Sequence, residues 1–161
     1  MHPDLESLFY KSEENFLEAT EIKLFKHHIA SLADRLALYE CLRDQEVAIF
    51  QPVADQLLQA FPQQDPKLLE KSLKQWITVM RYATMAMLLN NPEFLQRRLL
   101  EWLTDVIQAH QTQAIEAKLC QLLQARLKEV VPGAQLGLIQ PLLDQAQTTL
   151  LGSSSVYQMA N

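Results

Sequence analysis

KLLEKSLKQWITVMRYATMAMLL, residues 67–89, is the longest stretch of the chain with unbroken helical periodicity. Leu69, Leu73, Trp76, Ile77, Met80, Thr84, Met87 and Leu88 recur at steps of three or four, with Trp76-Ile77 and Met87-Leu88 as adjacent pairs, and form one apolar stripe. Asp65 is placed to cap its start, Pro66 suits the first helical position, and Pro92 after Asn90-Asn91 cannot extend it. A second face carries Ser72, Gln75, Val79 and Tyr82. A helix that is apolar on more than one side is covered, either by other helices or by a bound ligand. Which of the two covers this one is the functional question.

The flanking sequence is helical throughout. Residues 3–19 read as one or two short amphipathic helices with Leu5, Leu8, Phe9, Phe16 and Leu17 on the apolar side. Thr20 is the expected cap of the next helix, which repeats Leu24, Phe25, His28, Ile29, Leu32, Leu36 and Tyr39. A helix over 44–61 contains Pro52, which is expected to kink or restart it. After the central helix come helices over 92–110, 113–131 and 134–151, the last containing Pro141. There are only 3 glycines, and no strand-like alternation or sustained heptad is visible, so the chain is all-α. About seven or eight helices of unequal length predict a globin-like stack, with two short N-terminal helices, rather than a regular four-helix bundle. The expected organisation is one domain over 1–152, with an N-terminal helical extension over 1–20 and a flexible tail over 153–161.

Composition excludes several functions. The net charge of −5 comes with no basic stripe, which argues against nucleic acid as a partner. No apolar run reaches the roughly 18 residues of a membrane span, and MHPDLESLFY has no signal-peptide pattern, so a cytoplasmic protein is expected. Cys41 and Cys120 read as free thiols inside helices. No enzyme is expected, because phosphate-binding glycine loops and a GxSxG nucleophile are absent. No metal site is expected either. His27 and His28 are adjacent and point to different helix faces, while His2 and His110 read as terminal polar residues. A haem-binding globin sensor is disfavoured, because neither the central helix nor its successor offers an internal histidine as axial ligand.

Three segments carry a resemblance: SEENFLEATEI over 12–22, VADQLLQAFP over 53–62 and SLKQWITVMRY over 72–82. In order and spacing they resemble the phycobiliprotein subunits of the cyanobacterial phycobilisome, over residues 5 to 150. The third is similar to the family's bilin-attachment helix, with its Cys-x-Arg-Asp pattern followed by an apolar-aromatic run and an Arg. Here Ser72 stands where the family has the attachment Cys, Lys74 where it has the propionate-binding Arg, and Gln75 where it has the Asp that clamps the pyrrole nitrogens. A serine hydroxyl does not form the thioether that a thiolate forms with a bilin. Lys74 keeps the charge but loses the bidentate fork.

The resemblance implies a non-catalytic, phycobiliprotein-like globin similar to the bilin biosynthesis-associated globins. Such a protein assists bilin synthesis or transfer, or phycobilisome maintenance, without a covalent chromophore. The implied ligand is a non-covalent linear tetrapyrrole against Ser72, Lys74, Gln75, Val79 and Tyr82. The alternative is a ligand-free interaction protein that binds phycobilisome components or bilin-synthesis enzymes through Leu5, Leu8, Phe9, Lys11, Phe16 and Arg81. Arg81 matches the family's Arg that meets an Asp of the partner's N-terminal region, but Lys11 stands at the matching position here. Like charges repel, so a monomer or weak dimer is expected. The implied location is the cytoplasm, at phycobilisomes on the thylakoid surface.

Overall fold

The computed structural model describes residues 2–152, and the expected tail over 153–161 lies outside them. Among the described residues every regular element is helical. They are α1 (Pro3–Glu14), α2 (Ala19–Asp44), α3 (Glu46–Ala60), α4 (Pro66–Leu89), α5 (Pro92–Leu95), a π-helical turn (Gln96–Leu100), α6 (Glu101–His110), α7 (Gln113–Val130) and α8 (Gly133–Leu151). This is the all-α, globin-like architecture expected.

α4 is the centre of the stack and packs against α2, α3, α5, α7 and α8. Its ends are set by local chemistry. Asp65 Oδ1 accepts from the Lys67 backbone N–H at 3.0 Å, Pro66 takes the first turn, and Asn90 closes the helix at φ 49°. Asparagine tolerates that left-handed conformation better than most residues. Leu69, Trp76, Val79, Met80, Ala83, Ala86 and Met87 are buried on it. Burying a large side chain of this kind contributes about 1.5–3 kcal/mol of transfer free energy.

The N-terminal region differs from expectation in detail. One short helix, α1, precedes a single 26-residue α2. The start of α2 is set at Glu18 and not Thr20, because Glu21 Oε2 reaches back to accept from the Glu18 backbone N–H at 2.9 Å. No proline or glycine interrupts residues 19–44, so nothing divides the helix. Arg35 ties α2 to the end of α4 by donating to the Leu88 carbonyl at 2.5 Å, a cation set at the electronegative helix terminus.

Pro52 neither ends nor restarts α3, which runs through it. Proline has no N–H, so the Ala48 carbonyl four residues back loses its intrahelical donor. Arg126 of α7 supplies donors instead, from Nε at 3.3 Å and from an η nitrogen at 3.1 Å. Both thiols are free; Cys120 is buried and Cys41 partly so. Burial pushes the Cys120 thiol up to about 11, which keeps it protonated and unreactive.

Candidate functional site

Two depressions flank α4. The first, of about 410 Å³, runs between α4 and the π turn with α6. Lys67, Lys71 and Lys74 lie along its rim with Glu70, so three cations face one carboxylate. Lys74 Nζ is 2.5 Å from Glu70 Oε1, and Lys71 Nζ is 2.7 Å from His110 Nε2. Trp102 of α6 forms an aromatic wall. It remains half exposed, and its indole N–H donates to the Arg98 carbonyl at 3.0 Å, which fixes the ring. Leu99, Leu103 and Thr78 complete the groove with the half-buried Gln75.

The second depression, of about 480 Å³, lies where α2, α3 and α4 meet Phe94 of α5. Tyr82 stacks on Phe94 there, with centroids 5.7 Å apart and planes at 20°. Arg81 makes a two-point pair with Glu46, at 2.7 and 2.5 Å. That contact holds the Glu46 carboxyl below its usual range. Arg43 is paired with Asp44 at 2.7 Å. The cations of this depression are thus matched by carboxylates, whereas the groove beside α6 has lysines in excess.

The residues Ser72, Lys74, Gln75, Val79 and Tyr82 do not line one cleft. Lys74 and Gln75 share the lysine-rimmed groove, while Tyr82 belongs to the other depression. Val79 is fully buried in the core. Ser72 is buried as well, and its hydroxyl donates to Glu116 Oε1 at 2.7 Å. The indole N–H of Trp76 donates to Glu116 Oε2, also at 2.7 Å. The reason is geometric: at about 100° per residue, positions 72, 76 and 79 turn inward while 74 and 75 turn toward α6. Glu116 is fully buried, and burial raises its carboxyl pKa despite these donors.

Glu116 was not singled out in the sequence. The signal is present, because Glu116, Cys120, Leu123 and Leu127 are spaced four, three and four, on the buried stripe of α7. The spacing places an acid in the core; only the tertiary structure supplies its donors.

On the N-terminal arm, Leu8 is buried and Leu5 half-buried, but Phe9 and Phe16 are exposed. Lys11 is hydrogen-bonded to Glu21, and Arg81 is held by Glu46. Each cation therefore has a carboxylate within its own chain, which removes the premise of two uncompensated like charges. α2 adds an uncovered apolar row of Ile22, Ile29, Leu32 and Leu36. The sequence reading weighed His28 only against its neighbour His27. In the structure His28 also meets His2 and Asp4 across the α1–α2 junction. The two helices cross there, a relation that adjacency in sequence does not encode.

A family model described as "Phycobilisome protein" matches residues 9–150. No curated protein matches the chain.

Proposed function

The chain belongs to the phycobilisome protein family, and on that premise we propose that it holds a linear tetrapyrrole without a covalent bond, in the groove between α4 and α6. It has the phycobiliprotein-like globin fold, and members of the family are in general non-catalytic. On this reading the chain assists bilin synthesis, transfer or phycobilisome upkeep as a carrier and not as an enzyme.

The observation that carries the reading is the placement of Lys67, Lys71 and Lys74 opposite Trp102. A bilin is an extended conjugated acid with two propionates. Lysine ammonium groups meet carboxylates as point charges, and an indole face covers a pyrrole ring. Gln75 offers a hydrogen bond to the pyrroles but no counter-charge. The bilin is then less rigid than in a light-harvesting subunit, with broad absorption and weak fluorescence. Ser72 faces Glu116 in the core and takes no part, so Val79 and Ser72 support the groove from behind.

A bilin titration followed by absorbance tests this. A Kd in the micromolar range, about 8 kcal/mol, is expected. Lys74→Glu sets a carboxylate beside the propionate and weakens binding several-fold, and Trp102→Ala does the same by removing the wall. If wild type leaves the bilin spectrum unchanged at tens of micromolar, the carrier reading fails. After co-production with bilin and a lyase, no zinc-fluorescent band should survive denaturing electrophoresis.

The exposed apolar arm favours a second reading, a ligand-free interaction protein. Phe16 is wholly exposed, and Phe9, Ile29 and Leu32 are about half exposed. The occupant this reading commits to is another subunit of the same fold, on phycobilisomes at the thylakoid surface. No helix of the described residues is long and apolar enough to cross a membrane.

A further inference from the structure

The first residues of the arm and one turn of α2 meet in a cluster that the carrier role does not use. His2 Nδ1 lies 3.5 Å from Asp4 Oδ2, and His28 Nε2 lies 3.8 Å from the same oxygen. One ligand atom from each of the three residues falls within 4.8 Å of the others. The imidazole centroids of His2 and His28 are 4.7 Å apart. His28 is only 7% exposed, and its Nε2 has no hydrogen-bond partner among the described residues. A buried ring nitrogen without a partner costs free energy, and such an atom in a native core calls for an explanation.

We propose that His2, Asp4 and His28 form a binding site for a borderline divalent transition-metal ion, with Zn²⁺ as its representative. Two imidazole nitrogens and one carboxylate oxygen are a ligand set that suits zinc, and three protein ligands leave a fourth position for water. Bonds of about 2.0–2.2 Å around a tetrahedral ion set neighbouring ligand atoms roughly 3.3–3.5 Å apart. The His2–Asp4 separation already has that value, the His28–Asp4 separation needs to close by a few tenths of an ångström, and the His2 and His28 nitrogens, within 4.8 Å of each other, draw together on binding. Burial, with His2 nearby, lowers the His28 pKa, the direction that favours a free lone pair on the ring.

One competing contact exists. His2 Nδ1 accepts from the Asp4 backbone N–H at 3.2 Å, capping α1. The ion needs the same lone pair, so binding exchanges a cap bond for a metal bond. In return the ion joins the start of α1 to the middle of α2. The arm that carries Phe9 and Tyr10 is then fixed against α2 by the metal as well as by packing.

The test uses full-length, tag-free protein stripped with a chelator and titrated calorimetrically with zinc chloride. One ion per chain with micromolar affinity is expected. His2→Ala and Asp4→Ala each remove a ligand and should weaken binding by about tenfold or more. His27→Ala, outside the cluster, should leave the affinity unchanged. Both His2 and Asp4 have solvent-exposed side-chain surface, so their variants keep the fold, as far-ultraviolet circular dichroism will verify. Histidine ring signals in NMR should move for His2 and His28 and stay for His27 and His110. Absence of both heat and signal movement at about 100 μM Zn²⁺ overturns the proposal. An affinity that His2→Ala and Asp4→Ala leave intact also overturns it.

Discussion

Glu116 shows how one residue shapes the environment of the central helix. Its carboxyl is sealed in the core between Ser72 and Trp76 of α4, joining α4 to α7. Burial raises its pKa above the ordinary value, so the folded chain binds that proton more tightly than the unfolded one. A carboxyl shifted this way stabilises the fold most below its unfolded pKa, and stability falls as pH rises toward and through the folded pKa. The melting temperature of wild type should therefore decline, relative to Glu116→Gln, as pH rises above the ordinary carboxylate range. The glutamine stays neutral, and the Ser72 hydroxyl can rotate to accept from its amide. Parallel thermal melts across pH check this; parallel curves for the two proteins would contradict it. Ser72→Ala removes one donor to the buried carboxyl and should cost about 1–3 kcal/mol, measured by urea unfolding.

At the level of elements, α3 and α7 depend on an exchange that follows from a single proline. Pro52 leaves the Ala48 carbonyl without its helical donor, and Arg126 fills the vacancy from another helix. Arg126→Ala should destabilise the fold by about 1 kcal/mol. Pro52→Ala restores an N–H four residues after Ala48, so in that background the loss of Arg126 should cost less. A double-mutant cycle measures the difference as a coupling energy. Additive effects would mean that the arginine acts only through its 2.8 Å pair with Glu129. A proline inside a helical pattern thus marks here a carbonyl that binds a neighbour, and the sequence reading that expected a kink or restart saw only the missing donor.

For the whole molecule, the arm and the α2 face are where exposed large apolar side chains gather among the described residues. Because Phe16 is wholly exposed, Phe16→Ser should leave the melting temperature nearly unchanged. If the arm mediates contact, the same variant should lower self-association, or association with another family subunit, in sedimentation velocity. A monomer or weak dimer remains the expected state for the chain alone. Repulsion between Lys11 and Arg81 no longer argues for it, since Glu21 and Glu46 neutralise them.

The sequence by itself determined that the chain is helical, where α4 begins and ends, and which family it resembles. Those properties rest on local information: 3.6-residue periodicity, Asp65 and Pro66 at one end, Asn90 and Pro92 at the other, and motifs read in order. The sequence also put Lys74 and Gln75 forward, at positions on α4 defined by the resemblance, and the two line one groove. It grouped Ser72, Val79 and Tyr82 with them because helical spacing alone does not say which neighbour each face meets. Only the tertiary structure decided that. α7 brings Glu116 to Ser72, α6 brings Trp102 to the lysines, and the α1–α2 crossing brings His2 and Asp4 to His28. Each of these contacts spans two helices, and the crossing of two helices is set by side-chain packing across the whole core rather than by the pattern of either one.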